Sequence, residues 1–260
     1  LVERGFLEIV VSEENDYFAS IGGVLYGIEK TGDSRILRTL ISYPNSLSRA
    51  DSIESGITLK ADTYVVPASV TRIAEKAFTG AQLKEIAIEG GSERLTIASN
   101  ASYACNEYLE RVGELIEEGG YYRASTVLPD RVYEIGSGAF RNLVNLTQIS
   151  AGGTSELRKV GENAFEGSGW MLNIQNSTAT HIMLGKVLIG LNKAIDGNTL
   201  LLGSDSSIVS IADGALRGST KVKTLKITSD SVLEYIGKYA FAGSWLEYVE
   251  ISNLAPAFCE

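Results

Sequence analysis

One short pattern, written again and again, restricts what this chain can fold into more than any other feature. It reads IAEKAF at 73–78, IGSGAF at 135–140, VGENAF at 160–165, IADGAL at 211–216 and IGKYAF at 236–241, with a degenerate copy, IASNAS, at 97–102. Its alanines are Ala77, Ala101, Ala139, Ala164, Ala215 and Ala240. Four positions before each stands a β-branched residue, and the residue after that is always Ala or Gly. Three positions before the β-branched column stand Val70, Arg94, Val132, Leu157, Ile208 and Leu233, apolar in five of the six copies. A large apolar residue follows the alanine in five copies, and Gly80, Gly167, Gly218 and Gly243 then supply turns. Downstream come runs of the form L-x-x-I-x-I, such as Leu83, Ile86, Ile88 and Val222, Leu225, Ile227. Their alternation suits half-buried strands.

The alanines are 24, 38, 25, 51 and 25 residues apart, so the basic period is 24–25. A unit this short cannot bury its apolar face alone, but stacked units can. The expected fold is a solenoid, mostly β with little helix. Its coils contribute parallel strands ~4.8 Å apart, and small residues at fixed columns allow close approach. A single globular α/β domain has no use for six copies of one column pattern.

The long spacings hold insertions. Residues 21–30, IGGVLYGIEK, and 184–193, LGKVLIGLNK, match at a constant offset of 163 that continues to Leu37 and Leu200. Each is read as a β-hairpin: 24–28 with 36–40 around a turn at 30–34, and 187–191 with 199–202 around a turn at 193–198. The second makes a hairpin insertion at about 181–203. The 38-residue spacing holds 113–131, read as a longer acidic loop or short helix. Residues 6–11, FLEIVV, read as the strand of a repeat whose front half is missing. The organisation is then a partial repeat, linking segment and hairpin at 1–66 and a repeat array at 67–260, forming one continuous solenoid domain. The C-terminal side shows no clear capping repeat, so either the N-terminal hairpin caps the array or the array continues beyond this chain.

Chemistry was sought among the remaining residues. A net charge of −9 argues against a nucleic-acid partner, whose phosphates need a basic stripe, and against a polybasic grip on anionic lipid. No apolar run approaches the ~20 residues that span a bilayer, so this chain is not expected to insert in a membrane. Cys105 sits where other copies carry Ala81, Ser168, Ser219 and Ser244, which reads as a small core residue; the role of Cys259 is open. His181 is the only histidine and lacks motif partners for a triad or a metal. Glu13-Glu14 and Glu117-Glu118 are adjacent, so on strands they point to opposite faces and make poor acid/base pairs. Asn100, Asn145 and Asn176 begin glycosylation-type triplets, two of them within or beside repeat columns. No catalytic residue, metal site or cofactor is expected.

The repeat resembles the BspA-like leucine-rich repeats of bacterial surface proteins, also found in some parasitic protists. The family pattern is roughly a proline-containing lead, V-x-x-I-G-x-x-A-F-x-G-C, then L-x-x-I-x-I. Residues 67–78 and 129–140 match it, and 11–27 look like the family's linking segment ahead of a hairpin. The likeness covers nearly the whole chain and is weakest at 94–112 and 113–123. It implies a right-handed leucine-rich-repeat solenoid with a parallel sheet on its concave face. It also implies export and display at the cell surface, or secretion, with roles in adhesion.

The best candidate site is the outward row of that sheet, beside the inward apolar residues. It comprises Glu85, Arg111, Gln148, Ser150, Asn173, Gln175, Thr224, Lys226, Tyr248 and Glu250. The expected partners are extracellular or host-surface proteins or glycans. The alternative is a structural spacer that presents other domains of a longer protein.

Overall fold

The structure is a computed structural model that describes residues 7–44, 47, 63–78, 85–101, 116–118, 121–142, 144, 146–203 and 206–252. It is a mostly-β solenoid. An antiparallel meander, β1 (Phe18–Ile21), β2 (Val24–Thr31) and β3 (Ser34–Ser42), leads in. The coils that follow contribute two kinds of strand.

Short strands end on the β-branched column: β5 (Arg72–Ile73), β7 (Leu95–Ile97), β10 (Val132–Ile135), β12 (Lys159–Val160), β16 (Ser210–Ile211) and β18 (Tyr235–Ile236). Longer strands come from the alternating runs: β4 (Thr63–Val66), β6 (Glu85–Ile88), β9 (Tyr121–Leu128), β11 (Leu146–Ala151), β15 (Thr199–Leu202), β17 (Thr224–Ile227) and β19 (Tyr248–Ile251). Both kinds pair in parallel from coil to coil. The short ones run β3-β5-β7-β10-β12, and β16-β18 behind β14 (Val187–Leu191). The longer ones run β4-β6, β9-β11 and β15-β17-β19.

The columns now have structural reasons. Ile73, Ile97, Ile135, Val160 and Ile211 are buried, as are Phe78, Phe140, Phe165 and Leu216. The small column carries the bonds between coils. The N–H groups of Ala98, Gly136, Gly161 and Gly237 donate to the carbonyls of Ile73, Ile97, Ile135 and Ile211 at 2.7–2.9 Å. A Cβ on Gly136 would lie 2.2 Å from the Ser99 nitrogen, and one on Gly161 2.3 Å from that of Ser137. The residue before each alanine is left-handed in all six coils: Lys76 (φ 58), Asn100 (53), Gly138 (63), Asn163 (58), Gly214 (65) and Tyr239 (57). Gly and Asn prevail there because other side chains are strained at positive φ.

Five sequence expectations change. Arg94 is not the lead residue of its coil. Leu95 is, fully buried and paired with Val132, and a register shift after Val132 absorbs the missing residue. Where described, residues 113–131 hold strands in place of a helix or a loop alone. β8 (Ile116–Glu118) pairs antiparallel with β9, and Glu118 meets Tyr121 across the Gly119-Gly120 connection. Residues 7–12 are not a strand. The Ile9 N–H donates to the Gly23 carbonyl and the Val11 N–H to the Ser20 hydroxyl, both on the β1–β2 hairpin.

The fourth change concerns the second hairpin. It forms between β13 (His181–Leu184) and β14, not between 187–191 and 199–202. Residues 199–202 are a strand, β15, but pair with β17. The fifth concerns 169–175, which lie where other coils place a longer strand and form a helix instead, α1 (Gly169–Gln175). The Ser168 hydroxyl caps it by accepting from the Met171 N–H at 3.2 Å. In the same column, Ser219 and Ser244 accept from residues two ahead, Lys221 and Leu246, and those chains stay extended. Trp170, buried, packs edge-on against Phe165 at 4.9 Å, with Ile174 one turn on against the same core.

Candidate functional site

The two strand faces differ in what they offer a partner. Several charges on the short-strand face pair with one another. Arg38 bridges Glu29 at 2.6 Å and Glu93 at 2.7 Å; Arg94 reaches Glu156 at 3.1 Å, and Arg158 reaches Glu234 at 2.7 Å. Arg94 also lies over the Tyr133 ring at 4.2 Å, and Lys159 over that of Tyr235 at 5.4 Å. Such exposed pairs stabilise by only ~0–1 kcal/mol each, but they occupy the face. Burial raises the Tyr235 phenol first, with Asp213 adding to it.

The longer-strand face combines paired charges with exposed apolar residues. In β17, Leu225 and Ile227 are buried while Thr224 and Lys226 face out; in β11, Leu146 and Ile149 are buried while Gln148 and Ser150 are exposed. Register extends these rows from coil to coil. Thr199, Thr224 and Tyr248 form one row, and Leu201, Lys226 and Glu250 the next. Lys226 and Glu250 pair at 2.8 Å. Val127 (67% exposed), Leu201 (55%) and Tyr248 (63%) put apolar surface on this face. Val65 does the same from β4.

Of the ten sequence-derived site residues, the structure aligns Thr224, Lys226, Tyr248 and Glu250 in one sheet, and Gln148 and Ser150 in another. Glu85 falls on β6. Arg111 lies outside the described residues, as do Cys105, Cys259 and Asn145. Asn173 and Gln175 are not in a strand row. They lie on α1, where the Asn173 side-chain amide donates to the Thr147 carbonyl at 3.1 Å, on the edge of β11. Sequence reasoning missed Val65, Val127 and Leu201 because it assigned apolar residues to the inside. Alternation would have found Val65 and Leu201, each flanked by apolar or aromatic residues on both sides; Val127 stands between Thr126 and the buried Leu128.

Where α1 replaces a strand, the longer-strand face is interrupted. A groove of about 720 Å³ lies between β13 and the C-terminal ends of β15 and β17, over Met183, Leu201 and Ile208, with His181, Ser207 and Asp230 at its rim. His181 is exposed at the start of β13. The Asn192 side-chain amide ties the end of β14 to the chain after α1, donating to the carbonyls of Ile174 at 2.8 Å and Ala179 at 3.0 Å.

Two further features carry structure and had no sequence signal. Arg131 is 5% exposed and donates to the carbonyls of Val70 at 2.8 Å and Glu89 at 3.0 Å, tying it to the coils before it. Desolvation lowers its pKa from the ordinary arginine value. Tyr43, Tyr64 and Phe78 form an aromatic cluster with ring centres 5.0–6.0 Å apart, and Tyr26 and Tyr64 share a hydroxyl–hydroxyl hydrogen bond. Burial pushes the Tyr43 phenol up to about 12 and raises that of Tyr26 as well. Among the described residues no group of three His, Cys, Asp or Glu side chains is placed to hold a metal ion, and no helix is long and apolar enough to cross a membrane.

Comparison with known proteins gives a family. The BspA type leucine rich repeat region matches in six copies, over residues 57–112, 121–183 and 201–257, more than half of the chain. No curated protein matches. Among solved structures, the pneumococcal vaccine antigen PcpA is similar over 92% of this chain and 70% of its own, at 16% identity and a TM-score of 0.40. A leucine rich cell surface protein from Faecalibacterium prausnitzii A2-165 is similar over 93% of this chain and 78% of its own, at 12% identity and a TM-score of 0.35.

Proposed function

This chain belongs to the BspA-type leucine-rich-repeat family, and from that premise we propose that it is a non-catalytic binding module, secreted or displayed at the cell surface, that holds extracellular proteins or glycans on its longer-strand face. One observation carries the reading. The outward rows of β15 and β17 are fixed in place by buried neighbours and present exposed Leu201, and β19, paired beside them and exposed on both faces, adds Tyr248 among polar and charged groups. Aromatic and aliphatic anchors inside a polar surround are what protein interfaces use. A face built on paired strands also loses little entropy when it binds.

The test is surface plasmon resonance of the chain against an array of extracellular-matrix proteins and surface glycans, with Tyr248→Ala, Gln148→Arg and Lys226→Glu beside it. Saturable binding that weakens about tenfold or more in the Tyr248 variant is the expected result. No saturable binding to any member, or binding untouched by all three variants, would overturn the assignment to this face and leave the spacer role.

A further inference from the structure

Backbone hydrogen bonds tie each coil to the next along three lines: the short strands, the longer strands and the turns around each alanine. All three are interrupted at one junction, between the coil of Val160 and the coil of Ile211. The first short-strand sheet ends at β12 and another starts with β13 and β14; the longer strands divide there into β9-β11 and β15-β17-β19. The turns show the break most plainly. The N–H groups of Gly138, Phe140 and Asn142 donate to the carbonyls of Glu162, Ala164 and Glu166 in the following coil at 2.7–3.2 Å. Those of Gly214, Leu216 and Gly218 donate to Lys238, Ala240 and Ala242 at 2.7–2.9 Å. The equivalent groups at the break are the N–H of Asn163, Phe165 and Gly167 and the carbonyls of Asp213, Ala215 and Arg217. Among the described residues they make no such bond. A cavity of about 210 Å³ lies there instead, between residues 161–166 and 212–214, over Met171 and Ile189.

The core divides at the same place. On β14, Val187 packs into the core of the first block and its neighbour Leu188 into that of the second; Ile182 and Leu184 of β13 join the first. The β13–β14 hairpin thus rests on the first block through side chains while its backbone pairs within the second. Apolar contacts are non-directional and survive a small rotation that aligned hydrogen bonds resist. Ties between the blocks gather to one side. The Asp213 N–H donates to the Val160 carbonyl at 2.9 Å, Arg158 pairs with Glu234 at 2.7 Å and Arg217 with Glu162 at 2.6 Å. These lie on the short-strand face and the turn that leaves it. On the other side the Asn192 amide bond to the Ile174 carbonyl links α1 to the end of β14. A solenoid is held together by the interfaces between neighbouring coils, so its weakest interface is where it bends.

We propose that the solenoid hinges at this junction about its short-strand face. The block ending at α1 and the block starting at β13 then move as units, and the spacing between the outward rows of β11 and those of β15 and β17 varies. The motion belongs to the protein alone and does not depend on what the longer-strand face binds.

The experiment measures distances by double electron–electron resonance on the whole chain, with spin labels carried on genetically encoded ketone residues so that both native cysteines stay in place. One pair of label positions, Ser150 and Lys223, spans the junction; the other, Glu75 and Ser150, lies within the first block, and all three positions are exposed. The spanning pair should give a distance distribution about twofold wider or more, as two-block hinging requires. Arg158→Ala combined with Arg217→Ala should widen it further. Arg94→Ala, which breaks an exposed ion pair with Glu156 inside the first block, should leave both distributions unchanged. Circular dichroism checks the fold of each variant. Equal widths for the two label pairs would overturn the proposal. So would a spanning distribution that ignores the loss of Arg158 and Arg217, or that responds as much to Arg94→Ala.

Discussion

The two hairpins, β1–β2 and β13–β14, superpose in sequence at an offset of 163, and their turn pairs, Ile21 with Val24 and Leu184 with Val187, correspond. Their flanks do not. Before β13 the chain forms α1 under the Ser168 cap; the equivalent of Ser168 is Gly5, and residues 7–12 are not helical. After β2 the chain turns back through Gly32-Asp33, with φ +61 at Gly32, so that β3 pairs antiparallel with β2. That positive φ at the first of two loop positions is the pattern of a type II′ turn, which demands glycine. The equivalent of Gly32 is Ile195, held at φ −95 and ψ 155. A β-branched residue resists the left-handed region. The chain therefore runs on through a 3₁₀ turn, Asp196–Asn198, and β15 joins the longer-strand face. One glycine thus decides whether the returning strand extends the short-strand face, as β3 does against β5, or leaves an open edge beside a groove, as β15 does.

The contrast can be broken from either side. Trp170→Ala should have the largest effect, about 3–5 kcal/mol in urea denaturation, because it empties the space against Phe165 and frees α1 from the edge of β11. Leu7, the counterpart of Trp170 in the first copy, is 58% exposed, so Leu7→Ala should change stability by less than about 0.5 kcal/mol. Next comes alkaline pH. The first copy is anchored by Tyr26 and Tyr43, whose counterparts are Ile189 and Ser206. Burial raises the Tyr43 phenol from 10.0 to about 12, so the neutral form is favoured in the fold. The stability it contributes is fully present below pH 10 and is lost as pH rises through about 12, ~3 kcal/mol in all. Near-UV circular dichroism of the tyrosines should collapse in that window before the Trp170 signal does. Simultaneous loss of both signals would mean that the two halves do not differ.

The turn itself is the third test. Gly32→Ile should cost about 2 kcal/mol and raise hydrogen exchange across β2 and β3, leaving β13 and β14 unchanged. Ser168→Ala should cost about 1 kcal/mol by removing the α1 cap, with exchange rising in 169–175 alone. An equal rise across both hairpins in either variant would contradict the idea that single residues set each flank.

Much of this fold was legible because the columns are packing requirements. A coil that stacks on its neighbour needs a small residue where backbones meet and a large one between coils, and those residues recur in the chain. The hairpin copies were visible for the same reason. What could not be read was which partner a strand takes. Leu200 and Leu202 are buried in the parallel sheet, and the same alternation would suit them as a hairpin's return strand. Only Ile195 in place of a turn glycine carried the distinction. Residues 172–175 likewise alternate as a strand would, Leu172 and Ile174 against Asn173 and Gln175, until the Ser168 cap and the buried Gly169-Trp170 pair are weighed. Alternation placed Gln148, Ser150, Thr224 and Lys226 on the outward rows of half-buried strands, which obey a period of two; β19, which carries Tyr248 and Glu250, is exposed on both faces. Alternation was blind to the groove, whose lining comes from three separate segments of the chain.

The smallest effect concerns the first coil behind each hairpin. Both need a left-handed residue before their alanine. The coil behind the second uses Gly214 at φ 65, and the coil behind the first uses Lys76 at φ 58. A non-glycine residue in this region loses roughly 1–2 kcal/mol to contact between its Cβ and the backbone. Glycine would relieve that but adds freedom to the unfolded chain, at roughly 0.5–1 kcal/mol. Lys76→Gly should therefore stabilise by about 0.5 kcal/mol in thermal or urea denaturation, with no change in the exchange pattern. The reverse substitution, Gly214→Lys, should cost more than Lys76→Gly returns. It adds the same strain and also brings a Cβ to 3.0 Å from the Glu162 side chain. If Lys76→Gly instead destabilises, the lysine side chain makes contacts that outweigh its backbone strain. The left-handed column would then be a requirement of turn shape alone, with no stored cost in the first coil.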